Sequence, residues 1–369
     1  MIDIVGLRVT DLNDKSSFVF NDKTSPAAIM FSDYIASDKY QLVPDGGWLT
    51  YQYTFPEPIP EGYDVHMPSS GNAEVTFRKS GDRRYVTGVK DSFTLDLSTD
   101  RKLTVKRLID WKIYGRFSNY CQILIYPTIN LKNTATSGLK IMGNNIFFNP
   151  IYHRGYAYAV FRKKIKIGRK FRPSEIDPSL NMLNAIYFFY SDDGHSFVTH
   201  KFEHDKYSKT IDHYFICRDR RDANSENNIS EAYFYVVAFS NQTPEQLDKL
   251  HSAGLKIRNV DGLTTFSSAL KVLTKPVNIP ASEISVNKGT QMEGLSRPMY
   301  SPALHGETFT SNGGAAQFKS LSIGNIDKNT VGLIEMNSWW ARGYHGPYTV
   351  AISKAPITLL DAADYFYFP

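Results

Sequence analysis

The strongest constraint on how this chain folds is a four-residue phrase that it uses three times. Gly6-Leu7-Arg8-Val9 returns as Gly138-Leu139-Lys140-Ile141 and again as Gly254-Leu255-Lys256-Ile257. The intervals are 132 and 116 residues, and the last copy also runs 116 residues, to Pro369. Self-similarity at a near-constant interval marks a repeated structural unit. Each phrase leads into turn residues that tolerate positive φ: Asn13-Asp14, Gly143-Asn144-Asn145 and Asp261-Gly262. A segment with Phe near its end follows. In an extended chain Leu7 and Val9 share a face, as do Leu139 and Ile141, and Leu255 and Ile257. The basic residue between them points the other way. Each copy is therefore expected to open with a β-hairpin that buries aliphatics and exposes one cation. The expected modules are 1–133, 134–249 and 250–369. Each closes on a run of β-formers: Cys121–Pro127, Glu231–Phe239 and Asp364–Pro369.

The rest of the chain reads the same way. Aromatic residues reach 14%, which suits half-buried pleated surfaces. Short strand candidates are Leu49–Phe55, Ala73–Arg78, Ser92–Asp96, Ala185–Tyr190, His213–Cys217 and Gly332–Met336. Segments with a 3.6-residue period are nearly absent. The clearest helix is 244–250, where Thr243 can cap, Pro244 suits the first turn and Gln246 completes a capping box. It precedes the third Gly-Leu phrase and reads as a linker. The expected fold class is all-β, with three tandem antiparallel β-sandwich-like modules and few short helices.

Charge and motifs exclude more than they assign. A net charge of +5, with 16 basic against 16 acidic residues in 1–133, 16 against 13 in 134–249 and 10 against 8 in 250–369, does not call for nucleic acid. The start, MIDIVGLRVTDLND, carries no basic-then-apolar leader, and no apolar run is long enough to span a membrane. Cys121 and Cys217 are read as buried free thiols of a chain made in a reducing cytoplasm. There is no Gly-x-Ser-x-Gly, P-loop or His-Glu-x-x-His motif, and Asp192-Asp193 before Gly194 reads as a turn. No cofactor and no catalytic residue is expected. His195, His200, Glu203 and His204 form the one metal-like cluster. On a strand, His200 and His204 would face away from Glu203 and His195, so a convergent metal site is not expected.

Two features remain for recognition. Arg162, Lys163, Lys164, Lys166, Arg169 and Lys170 form a strand with a basic face, read as a protected edge or a subunit contact. Trp339, Trp340, Arg342, Tyr344, His345 and Tyr348 form an aromatic loop of the kind found on recognition surfaces. The aromatic tail Tyr365–Phe368 reads as a closing strand.

The recurring opening resembles that of small tail proteins of tailed bacteriophages, described as minor tail, tail-tip or tail-fibre proteins. The residues that carry it are Gly6, Leu7, Val9, Phe20 and Asn21. In the second copy they are Gly138, Leu139, Ile141, Phe148 and Asn149, and in the third Gly254, Leu255, Ile257, Phe266 and Ser267. About fifteen residues of each module match, and the second copy has a shorter turn. The resemblance implies a virion component of the tail, assembled in the host cytoplasm. It further implies a non-enzymatic structural role with other tail proteins as partners, a homo-oligomer such as a trimer or ring, and contact with a host surface glycan or receptor. The alternatives are a carbohydrate-binding β-module protein and, with less support, a polysaccharide-degrading hydrolase.

Overall fold

Each of the three openings forms a two-stranded antiparallel hairpin in the computed structural model of the chain. The structure describes residues 7–10, 17–20, 26–36, 39–45, 48–59, 61, 63–68, 72–109, 118–127, 140–141, 146–147, 156–181, 183–204, 211–222, 230–250, 255–258, 262–274, 276–312 and 315–368. The first segment contains β1 (Leu7–Thr10), β2 (Ser17–Phe20), β3 (Ala28–Ala36), β4 (Gln41–Asp45), β5 (Trp48–Thr54), β6 (Tyr63–His66), β7 (Asn72–Ser80), β8 (Arg83–Leu97), β9 (Leu103–Ile109) and β10 (Ser118–Pro127). The second contains β11 (Lys140–Ile141), β12 (Ile146–Phe147), β13 (Ala157–Ile167), β14 (Ile186–Tyr190), β15 (Ser196–His204), β16 (Ile211–Asp219), β17 (Ala232–Asn241) and the helix α1 (Pro244–Asp248). The third contains β18 (Lys256–Arg258), β19 (Thr264–Ser267), β20 (Val277–Pro280), β21 (Thr290–Gln291), β22 (Pro298–Tyr300), β23 (Leu304–Asn312), β24 (Ala315–Asp327), β25 (Thr330–Arg342), β26 (Tyr344–His345), β27 (Thr349–Ile352) and β28 (Pro356–Asp361). All six strand candidates coincide with strands, Phe55 and Ala185 alone lying one residue outside β5 and β14, and the fold is all-β.

The repeat extends well past the hairpins. Hairpins β1–β2, β11–β12 and β18–β19 are each followed by a strand that pairs antiparallel with the module's closing strand: β3 with β10, β13 with β17, β20 with β28. A third strand completes each set on the far side of the closing strand: β6, β14 and β22. In the third hairpin Leu255 and Ile257 pack against buried Tyr158, Phe266 and Val272, as the alternating pattern predicts. Gly262 sits in its turn with φ +79°, a conformation open to glycine. Gly6, Gly138, Leu139 and Gly254 lie outside the described residues, as do the side chains of the first two hairpins, Leu7 among them.

The modules are not sandwiches in a row. Just after its hairpin, each chain segment enters a closed ring of backbone hydrogen bonds. The Ala27 amide donates to Leu273 O (2.7 Å), the Leu273 amide to Ala157 O (2.7 Å), and the Ala157 amide to Ala27 O (2.9 Å). Each copy donates to one neighbour and accepts from the other, so the copies are related cyclically. The arrangement is propeller-like. This corrects the expected tandem sandwiches, and the reason is physical: a three-stranded set cannot bury both of its faces alone. The sets of modules two and three fuse through Phe189↔Tyr300 into one six-stranded sheet, β13-β17-β14-β22-β28-β20. On one face of that sheet lie Phe189, Phe215, Phe234 and Tyr300, and on the other Ile186, Phe188, Phe239 and Met299. Module one packs against this second face through Ala27, Leu124 and Tyr126.

Polar bridges cross every seam. The Ile29 amide donates to Asn241 Oδ1 (2.9 Å), and Asn241 Nδ2 returns a bond to Ile29 O (2.7 Å). Buried Asn325 accepts from the Ser191 amide (3.1 Å) and donates to Pro298 O (2.9 Å). The Val198 amide donates to the hydroxyl of fully buried Tyr300 (2.8 Å). The helix α1 carries the expected capping box, but it is no free linker, because Leu247 is buried beside Phe266. The aromatic tail is likewise not a strand. Asp361 caps a short turn at 362–364, β28 closes the module instead, and Tyr365, Phe366 and Phe368 lay their rings over the six-stranded sheet. Among the described residues no helix is long and apolar enough to cross a membrane.

The remaining strands are insertions that differ between modules. Module one carries β8-β9-β5-β4 with β7 beside β8, module two the hairpin β15–β16, and module three the five-stranded sheet β21-β25-β24-β23-β27 together with β26, which pairs parallel with β8. The insertions of modules one and three meet where Phe77 packs edge-on to Phe309 and Phe318 (5.2 and 5.8 Å between centroids). In this seam Glu307 accepts from the Val75 amide (2.7 Å), while nearby Glu74 is paired with Arg107 (3.2 Å). Burial pushes the Glu307 carboxyl up from 4.5 to about 7, Glu74 adds to the rise, and the Val75 amide opposes it. The folded protein thus retains a proton that the unfolded chain has released, so stability falls as pH rises from 4.5 towards 7. Glu307→Gln keeps the acceptor and removes the charge. Its melting temperature is expected to exceed that of the parent at pH 8 and to match it at pH 5. Parallel pH profiles for the two proteins would refute this.

Candidate recognition surface

The five-stranded sheet of module three carries the aromatic residues singled out in the sequence. Its inner face, with Phe309, Ala316 and Phe318, packs on β7. Trp339 pairs with Phe318 and stacks flat on it, with centroids 4.0 Å apart and planes 5° apart. Trp340, the next residue, points to the other face and is 65% exposed. It pairs with Gln317, and Gln317 pairs with Thr310. Tyr348, 58% exposed, directly precedes Thr349, which pairs with Phe309. Thr310, Gln317 and Trp340 therefore form one row across three strands, roughly 10 Å long at the usual strand spacing, and Tyr348 stands at the start of β27, one residue before its paired register. Two exposed rings flank a hydroxyl and an amide.

A second row stiffens the first. Glu335 accepts from Thr308 Oγ1 (2.7 Å) and pairs with Lys319 (2.9 Å). Burial alone would raise the Glu335 carboxyl, but the Thr308, Lys319 and Asn287 bonds outweigh it and hold it below the usual carboxylate range. Glu335 and Trp340 share a face despite their odd separation. The register slips between Phe318 and Ser320, where β25 spends one residue more than β24, and this bulge reverses the alternation. Beyond Glu335 the same face turns apolar through Leu321, Ile323 and Leu333 and enters the main core.

The six predicted aromatic-loop residues thus divide. Trp340 and Tyr348 stand on the open face. Trp339 and Tyr344 lie on the opposite face, Trp339 stacked on Phe318 yet still 48% exposed, and Tyr344 edge-on to Phe77 (4.9 Å) with Arg84 over its ring (4.8 Å). His345 stacks on exposed Tyr85 (5.5 Å) where β26 joins β8, and Arg342 is exposed at the end of β25. Thr310, Gln317, Lys319 and Glu335 were not singled out from sequence. Only pairing in register brings these residues beside Trp340.

Arg162, Lys163, Lys164 and Lys166 of the expected basic strand lie on β13, an edge of the six-stranded sheet, whereas Arg169 and Lys170 follow its end. Lys166 is paired with Glu231, and Lys164 lies over the Tyr235 ring (4.6 Å). Arg162 donates to Tyr365 O (3.0 Å), and Lys170 pairs with Asp212 (3.1 Å). Asp212 also takes both guanidinium donors of Arg172, and these bonds hold its carboxyl down at about 2. Lys163 and Arg169 are exposed. In the β15–β16 hairpin, His200 stacks on His213 (5.7 Å), and burial pushes its imidazole down to about 3. The side chains of Glu203 and His204 lie outside the described residues. Among those described, no group of three His, Cys, Asp or Glu converges as a metal site. Cys121 and Cys217 are buried free thiols, and burial raises Cys217 to about 12.

Comparison with protein families, with curated proteins and with solved structures finds no match to this chain.

Proposed function

We propose that the protein is a non-enzymatic structural and interaction component of a bacteriophage tail, at the tip or in a fibre, which contacts the host surface through the third module. The observation that carries the contact is the Thr310–Gln317–Trp340 row, with exposed Tyr348 just before β27. Exposed rings anchored on a rigid sheet offer large contact area at low conformational cost. Assignment to a tail rests on the three Gly-Leu openings and their resemblance to tail proteins. The cyclic packing of three copies also suits a part seated on a symmetric particle. Other tail proteins, further copies of the chain and a host glycan or receptor are the partners this reading names.

The second reading, a glycan-binding protein outside any virion, is favoured by the same row, since aromatic rings flanking an amide suit a sugar. Labelling the protein on purified particles separates the two: the tail reading requires label at the distal tail. Trp340→Ala tests the surface under either reading. The side chain is mostly in solvent, so stability should change by less than about 0.5 kcal/mol. Binding to host cells should fall about tenfold or more. Unchanged binding would remove this face from the account.

A further inference from the structure

A groove of about 340 Å³ opens where the insertion of module one meets module three. We infer that it is a binding site for a single sugar unit bearing an anionic group, a carboxylate or a phosphate. Three lysines line it, Lys90 and Lys106 from module one and Lys354 from module three, against one acid, Asp91. Lys354 is held in place by its own backbone, whose amide donates to Asp91 Oδ1 (2.8 Å). Its side chain is 92% exposed, and its amine stands 4.0 Å from Asp91. Lys106 reaches Asp96 outside the groove. The Lys106–Asp96 pair is at the surface, and the Lys354 amine is in solvent at the far limit of its reach to Asp91, so a bound anion competes with them at little cost.

The floor and walls supply the second observation. Thr94 adds a hydroxyl group, and Val89, Leu108 and Ile352 an apolar wall. The Thr50 hydroxyl beneath them is buried, closed to solvent and without a hydrogen-bond partner. The mixture of apolar wall, hydroxyl and excess positive charge matches a hydroxylated ring with one negative substituent. The volume is at the small end for ligand sites and suits one ring. The site exists only because the modules close on one another. It stands apart from the Trp340 row and does not depend on the tail reading.

Titration calorimetry at low salt with D-glucuronate, glucose 6-phosphate, D-glucose and inorganic phosphate tests this. Saturable binding is expected for at least one anionic sugar, weakening as salt rises. Glucuronate and glucose 6-phosphate distinguish a carboxylate from a phosphate ligand. Lys106→Gln and Lys354→Gln should each weaken binding about tenfold. Lys354 is exposed and Lys106 half-buried at the surface, so the variants should fold. Thr50→Val should leave binding unchanged and the melting temperature equal or higher, because it removes an unpaired hydroxyl that is closed to the groove. The inference fails if neither anionic sugar binds, if D-glucose or phosphate alone binds as tightly, or if both lysine variants bind like the parent.

Discussion

Gly306→Ala is expected to destabilise the protein by about 3 kcal/mol or more. Gly306 lies in β23 between β24 and β27, with φ +156°. A Cβ there would meet the carbonyl oxygen of Ala351 at 1.9 Å and its carbon at 2.9 Å. Those atoms belong to backbone on the neighbouring strand, so relief requires β27 to move away. Because β27 follows Tyr348 and leads to Lys354, both the aromatic row and the groove should be lost with it. Gly294→Ala is the control. Gly294 also has a positive φ, +77°, but nothing lies within 4 Å of its would-be Cβ. It should cost only the local backbone strain, about 1 kcal/mol. Urea unfolding of the two variants separates crowding from strain, and equal midpoints would refute the argument.

Phe189→Ala should cost about 3–5 kcal/mol and should leave a single unfolding transition. The ring is fully buried, edge-on to Phe215 (4.9 Å) and Phe234 (6.3 Å). Its backbone pairs with Tyr300, where the strand sets of modules two and three fuse. Removing the ring leaves a cavity at the join rather than in one module. Tandem sandwiches would melt separately, and only one transition would shift. A core shared across the ring of Ala27, Ala157 and Leu273 melts as a unit. Calorimetry decides between them through the ratio of van't Hoff to calorimetric enthalpy, which should be near one. Two resolved transitions would restore independent modules.

The parts of this protein legible in its sequence are those set by local chemistry. Alternation in Leu255-Lys256-Ile257 and the positive φ of Gly262 specify the third hairpin. Thr243, Pro244 and Gln246 specify the capped helix turn. Recurrence of the Gly-Leu phrase pointed to the three hairpins, because the three openings share one pattern of turn and alternating residues. The burial of Cys121 and Cys217 followed from their aromatic and aliphatic surroundings.

Tertiary structure decided the rest, because the deciding contacts join residues far apart in the chain. Three copies in sequence are compatible with a row or a ring. The choice fell to backbone amides at Ala27, Ala157 and Leu273, whose side chains carry no signal of it. The Tyr365–Phe368 tail has strand-forming residues, yet the cap at Asp361 turns it over the sheet, where its rings bury area that pairing would not. Trp340 was visible as a letter, but its face depended on a bulge in β25 and its neighbours on the register of β23 and β24. The groove needed Lys354 to arrive beside Lys90 and Lys106 from more than two hundred residues away. Local rules act over a few residues, whereas seams, rows and pockets form only when separate strands are brought into register.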